Sequence, residues 1–139
     1  MRLLNIVLII YVLYYIYNSL YTFTEYYYKS DPFLSELHRT LSVLHPKLKT
    51  VQIFEGDQSY TLNKKKIYIC LRDKNGDYYG RNMLTYVLCH EYAHVLCDKI
   101  DEHTHSKEFF EIFDDLIYKA TQMGLYNPSI PPIDNYCMK

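Results

Sequence analysis

Two histidines and one glutamate lie close enough in this sequence to hold a metal ion and act on water beside it. They belong to the run His90-Glu91-Tyr92-Ala93-His94, whose pattern is H-E-x-x-H. On a helix, residues i and i+4 share one face, so both imidazoles can bind one ion. Glu91 is rotated by roughly 100° from His90, which places its carboxylate beside the ion, where it can hold a water molecule. The run predicts zinc ligands at His90 and His94 and a catalytic base at Glu91.

The flanking residues predict that this run lies on a buried helix. Apolar residues precede and follow it, and residues 81–123 contain neither glycine nor proline. Asn82 is the expected N-cap. A helix that is apolar nearly all round belongs in a core. Burying two histidines and a glutamate there would be costly unless they were paired, and a metal ion removes that cost. The alternative is an ordinary helix whose histidines form hydrogen bonds in the core.

A catalytic zinc ion usually has three protein ligands and one open position. The candidates for the third ligand are His103, His105, Glu108 and Glu111. His105 is favoured because it continues, four residues back, the apolar stripe of the next helix. We therefore expect His105 to begin that helix and to point towards the motif helix. It could instead be a solvated or capping loop histidine. The stripe consists of Phe109, Ile112, Phe113, Leu116 and Ala120.

The H-E-x-x-H run, a short loop and then His105-Ser106-Lys107-Glu108-Phe109 resemble the WLM and SprT-like metallopeptidases. Those families share the motif, a third histidine some ten residues later and a phenylalanine four residues after that. The stretch 86–89 is also similar to them, and the resemblance covers roughly residues 67–124. It implies a small α+β, zincin-like fold in which a strand precedes the active-site helix. It also implies zinc on His90, His94 and His105, with Glu91 as the catalytic base.

The expected activity is hydrolysis of a protein or peptide substrate by a water that Glu91 deprotonates. One alternative is another zinc hydrolase with the same residues. A second is a non-catalytic, zinc-binding interaction module tethered to a membrane. The strand predicted over residues 67–71 could bind the substrate backbone by β-augmentation if it lies at the edge of the sheet.

The N-terminal segment predicts a membrane anchor over residues 1–28. Residues 3–24 carry no charge, and a spanning helix needs about 20 mainly apolar residues. Tyr26, Tyr27 and Tyr28 could lie in the interfacial aromatic belt. A cleaved signal peptide and a buried helix are the alternatives. The weak charge asymmetry favours a cytoplasmic N-terminus and a catalytic domain on the other side of the membrane.

Residues 29–139 are enough for one small domain, which we expect to be the metallopeptidase. The chain carries 15 basic and 16 acidic residues, a net charge of −1, so it gives no strong signal for nucleic-acid binding. Its one basic cluster, residues 64–66, is expected to be a solvated turn.

The four cysteines are expected to be buried free thiols. Cys89 and Cys97 would lie about 12 Å apart along one helix, too far for a bridge. In an oxidising compartment, Cys70 or Cys137 could pair with one of them.

The remaining elements complete an α+β chain. Asp31 and Pro32 predict a helix start, and the helix should end before Pro46. His38 and His45, which flank that helix, are expected on the surface. Strands are predicted over residues 50–54, 59–62 and 66–71, and Gly124 is expected to cap the last helix.

Overall fold

The computed structural model describes residues 2–98 and 105–138, apart from the side chains of residues 25–29. The chain forms two compact units, Met1–Ser30 and Asp31–Lys139. All residues of the hydrophobic core, from Leu34 to Tyr126, belong to the second unit. That unit therefore has a core of its own.

The first unit is a single helix, α1 (Arg2–Lys29). Its stretch Arg2–Thr24 has 23 residues and a mean hydropathy of 1.8, which makes it long and apolar enough to cross a membrane. At 1.5 Å per residue it extends about 35 Å, against about 30 Å for the hydrocarbon core of a bilayer. A signal sequence near an N-terminus would meet the same criteria.

The second unit begins with α2 (Pro32–Leu41), which starts where the sequence predicts. Asp31 is the N-cap, and its Oδ1 accepts hydrogen bonds from the backbone N–H groups of Phe33 at 2.9 Å and Leu34 at 3.1 Å. Two short 3-10 helices, Ser42–Leu44 and Pro46–Thr50, carry the chain to the sheet. The apolar face of α2 is buried, which anchors this helix on the core.

The sheet has three strands, β1 (Gln52–Glu55), β2 (Tyr60–Leu62) and β3 (Lys66–Ile69), in the order β1-β3-β2. β1 runs parallel to β3, and β2 runs antiparallel to it. Because β3 is paired on both sides, the idea that residues 67–71 bind substrate at a sheet edge is wrong. Among the described residues, the short β2 is paired only with β3, and β3, the strand richest in apolar residues, has the protected central position.

Two long helices, α3 (Arg81–Leu96) and α4 (Lys107–Gln122), pack against each other. The N-cap of α3 is Gly80, so the prediction of Asn82 as the cap is wrong. The Asn82 side chain instead exchanges two hydrogen bonds with the backbone of Asn127, at 2.7 and 3.1 Å, and so holds the C-terminal segment. Gly124 follows α4 with a φ of +72°, as expected of a glycine at a helix C-terminus.

A disulfide joins Cys70, just after β3, to Cys137 in the C-terminal segment, with their Cα atoms 6.1 Å apart. The expectation of four free thiols is therefore wrong for this pair, and neither partner bonds Cys89 or Cys97. Those two are buried free thiols, as expected. The pairing depends on the chain returning from α4 to the end of β3, which no local pattern reveals. In fold class, the described chain is α+β, with four helices and a small sheet.

Candidate metal centre

Three histidines from two elements converge at one end of the α3–α4 pair. His90 and His94 lie one turn apart on α3, and His105 lies just before α4. Each offers a ring nitrogen, and these nitrogens lie within 4.8 Å of one another, so the group could bind a metal ion. His90 and His94 are half-buried and His105 is exposed. His105 thus faces the motif helix as expected, although the helix itself begins two residues later.

Phe109 holds the three imidazoles in place from the first turn of α4. Its buried ring lies with its centroid 5.0 Å from that of His90, 4.5 Å from His94 and 4.4 Å from His105. The Phe113 ring adds a contact to His90 at 5.7 Å. Aromatic packing on this scale limits how far each imidazole can turn. The three side chains are therefore restrained before any ion binds.

The chemistry of the three side chains fits a metal ion such as zinc. Zinc accepts imidazole nitrogens at about 2.1 Å, which in a tetrahedral arrangement sets two such nitrogens about 3.4 Å apart. The three ring nitrogens lie within 4.8 Å of one another, so none of their separations exceeds the tetrahedral value of about 3.4 Å by more than about 1.4 Å. Three histidines with one side exposed also match a site that keeps an open position.

A metal binds neutral imidazole, and the surroundings of His90 and His94 favour that state by lowering their pKa values. Burial lowers the pKa of His90 to about 4, and the charges of His94 and His105 contribute in the same direction. Burial and the charge of His105 also lower the pKa of His94. The ring nitrogens of this pair therefore keep free lone pairs at neutral pH.

Glu91 lies on α3 between His90 and His94 and contacts the sheet. Only 5% of its surface is exposed, and its Oε2 accepts a 2.7 Å hydrogen bond from the Thr61 hydroxyl on β2. Burial raises the pKa of Glu91 to about 7, and the Thr61 hydrogen bond opposes that rise. A carboxyl group with a pKa near neutrality can both accept and release a proton there.

His38 on α2 contacts the motif helix. The expectation that His38 lies on the surface is therefore wrong. It is half-buried, and its Nδ1 lies 2.5 Å from the hydroxyl of Tyr92, one of the two variable residues of the motif. The Tyr92 side chain is fully buried. Burial lowers the pKa of His38. His45 is also half-buried, and its Nδ1 accepts a hydrogen bond from the backbone of Lys47.

The other candidates for the third ligand are placed differently. His103 lies outside the described residues. Among those described, neither Glu108 nor Glu111 belongs to the converging group. Both line a cavity of about 490 Å³ on the flank of α4, together with Asp98 and Lys119. His105 is therefore the described residue that completes a three-ligand set with His90 and His94.

Thr61 is the contact of this site that the sequence did not indicate. Thr61 lies in a predicted strand, but its hydrogen bond to Glu91 joins residues 30 positions apart in the chain. Strand alternation shows that the Thr61 side chain lies on the opposite face of the strand from Tyr60 and Leu62. It does not show which residue that side chain contacts. No local signal could have identified it.

Comparisons with known proteins show viral relatives. The chain is 41% identical over 102 residues to "Uncharacterized protein 136R" of Invertebrate iridescent virus 6, covering 70% of this chain and 56% of the relative. It is 43% identical over 88 residues to "Uncharacterized protein 042R" of Invertebrate iridescent virus 3, covering 63% and 54%. It is 29% identical over 119 residues to "Uncharacterized protein R325" of Acanthamoeba polyphaga mimivirus, covering 81% and 53%.

The chain thus spans about half the length of the curated relatives that it matches. No family model and no solved structure matches it.

Proposed function

We propose that this chain is a membrane-anchored, zinc-dependent peptidase with a zincin-like fold, similar to the WLM and SprT-like metallopeptidases. One observation carries the proposal. The ring nitrogens of His90, His94 and His105 converge within 4.8 Å, and the carboxyl group of Glu91 is buried on the same helix. A group of three imidazoles favours a transition metal such as zinc, and a carboxyl with a pKa of about 7 is suited to proton transfer.

A bound zinc ion would supply a Lewis acid that polarises the scissile carbonyl and makes water more acidic. His90, His94 and His105 would hold it. Glu91 would take a proton from the attacking water and deliver it to the leaving nitrogen, so the same carboxyl group serves as base and then as acid. Its burial keeps bulk water away from this transfer.

The free edge of β2 offers a place for the substrate backbone. β2 is the strand that touches Glu91, through Thr61, and it is paired only with β3 among the described residues. An extended peptide added along this edge would lie beside the proton-transfer residue. The neighbouring side chains Tyr60 and Leu62 are exposed, at 46% and 45%. They would contact apolar side chains of the substrate, so we propose a protein or peptide substrate in extended conformation.

The presence of Glu91 favours a peptidase over a non-catalytic metal-binding module. A purely structural zinc site is closed by four protein ligands and needs no adjacent base. Here the described site offers three histidines, one of them exposed, and a buried carboxyl group that is costly to keep unless it has a role.

The anchor and the disulfide favour a location for this activity. α1 is long and apolar enough to span a membrane. Disulfides such as that between Cys70 and Cys137 persist in oxidising compartments. We propose that α1 anchors the chain and that the unit 31–139 faces the non-cytoplasmic side.

The test is zinc content and peptide cleavage for the wild type and for Glu91→Gln. We expect both proteins to bind one zinc ion per chain and only the wild type to cleave an unstructured protein such as casein. Zinc-loaded wild type that cleaves neither casein nor a diverse peptide library would overturn the proposal. Equal cleavage by Glu91→Gln would remove the role given to Glu91.

A further inference from the structure

The hydroxyl group of Thr61 reaches Glu91 at two atoms. It lies 2.7 Å from Oε2 of the carboxyl group and 3.2 Å from the backbone carbonyl oxygen of the same residue. Oε1, by contrast, has no hydrogen-bond partner among residues 2–98 and 105–138. The contact therefore occupies one carboxyl oxygen and leaves the other for a water molecule or a substrate.

The strand that carries Thr61 is short, but it is held at both ends. Ahead of it, the Ser59 hydroxyl lies 2.7 Å from the hydroxyl of Tyr136 and accepts a 2.9 Å hydrogen bond from the backbone N–H of Cys70. Beyond it, Lys64 donates a hydrogen bond to the carbonyl oxygen of Cys97, at the C-terminal end of α3. Lys64 thus lies in a turn between two strands, as predicted, but it is half-buried and not solvated.

The turn after β2 has an unusual backbone. Asn63 and Lys64 have φ values of +51° and +55°, a region that residues other than glycine seldom adopt. Holding two consecutive residues there carries a conformational cost. The contact of Lys64 with Cys97 ties this turn to the helix that carries the histidines. β2 therefore touches α3 both inside the motif, through Thr61, and just past its end.

We propose that Thr61 is a positioning residue, whose hydroxyl fixes Oε2 of Glu91 so that Oε1 faces the metal-bound side of the site. The inference rests on the proposed function and deepens it. A glutamate side chain has three rotatable bonds, and its terminal torsion is broad and roughly two-fold. Backbone placement on α3 alone would leave the carboxyl plane undetermined. The two contacts of the Thr61 hydroxyl, one to the side chain and one to the backbone, select one orientation.

The matched variants are Thr61→Val and Thr61→Ser in the full chain. Valine keeps the shape and the strand preference of threonine but loses the hydroxyl, whereas serine keeps the hydroxyl. We expect Thr61→Val to bind zinc as the wild type does and to lose roughly 10- to 100-fold in kcat with little change in KM, since a misplaced catalytic group costs about that much. Thr61→Ser should recover most of the loss.

A second measurement does not depend on turnover. In metal-free full-length protein labelled with carbon-13 at the glutamate carboxyl groups, the Glu91 signal is identified by its absence in Glu91→Gln. At one fixed pH, this signal should shift in Thr61→Val and return towards its wild-type position in Thr61→Ser.

The outcomes separate the two proposals. Wild-type protein without cleavage activity would count against the peptidase, while the Glu91 signal would still test the positioning role. An unchanged Glu91 signal in Thr61→Val would overturn that role, as would equal kcat values for Thr61→Val and wild type. Loss of zinc from Thr61→Val would also overturn it, since Thr61 would then support the metal site as a whole.

Discussion

Replacing Cys137 with serine should strongly destabilise the unit 31–139, and the loss can be worked from the position of the disulfide. The bond joins residues separated by 67 positions. In the chain-entropy model, a closed loop of that length lowers the entropy of the unfolded chain by about 15 cal/mol/K, which corresponds to about 4 kcal/mol at 25 °C. Small domains are stable by about 5–15 kcal/mol in total, so the variant would lose a large fraction of its stability.

The expected loss also concerns the metal centre. The loop that the bond closes contains α3 and α4, and with them all three histidines. Next to the bond, the Tyr136 hydroxyl donates to the carbonyl oxygen of Cys70 at 2.6 Å, and the backbone N–H of Cys137 donates to the Tyr79 hydroxyl at 2.9 Å. Releasing the C-terminal segment would weaken these contacts as well.

The assay is urea unfolding of the unit 31–139, followed by circular dichroism, with a chelator present to keep metal binding from adding stability. With a slope of about 1.5 kcal/mol per molar urea, the midpoint of Cys137→Ser should fall by about 3 M. Reduced wild type serves as the matched control, because it loses the same crosslink without a substitution. Reduced wild type should unfold at the same urea concentration as Cys137→Ser. The unfolding midpoint of Cys137→Ser should not change when the reductant is added.

The reasoning is refuted if oxidised wild type and Cys137→Ser unfold at the same urea concentration. Detection of four reactive thiols in the unfolded, unreduced wild type would refute it directly, since only Cys89 and Cys97 are expected to be free.

Three further predictions concern the site and the anchor. His105→Ala should weaken zinc binding by at least about 100-fold in a chelator competition assay, more than the loss of a supporting residue, whereas His45→Ala should leave it near the wild-type value. Burial raises the pKa of Glu91 from its ordinary 4.5 to about 7 in the metal-free protein, so between these values the folded chain keeps a proton that the unfolded chain has lost. Stability relative to Glu91→Gln should therefore fall as pH rises through that window, by up to about 3 kcal/mol, and a pH-independent difference in unfolding midpoints would contradict this. The full chain should stay with membranes after alkaline carbonate washing and lose that association without residues 2–24, whereas a mature N-terminus beyond residue 24 would indicate a cleaved signal.

Features encoded by short-range patterns could be predicted from the sequence. The N-cap of α2 at Asp31, the glycine after α4 and the three strands follow from side-chain chemistry within a few residues. The convergence of His90 and His94 follows from helix geometry, and the placement of His105 follows from the periodicity of α4. The prediction of Asn82 as the N-cap of α3 is wrong because the Asn82 side chain forms its hydrogen bond with the backbone of Asn127, which is distant in the chain.

The i, i+4 spacing of His90 and His94 is enough to predict that both could bind one metal ion, because it fixes their common face on any helix. The surroundings of these two histidines depend on how distant parts of the chain pack together. The order of the strands puts β3 in the centre and β2 at the edge, which excludes the hypothesis that residues 67–71 bind substrate at a sheet edge. It also brought Thr61 to Glu91 and Cys137 to Cys70. Such contacts join residues far apart in the chain, and they arise from how the elements share one core, which no local pattern records.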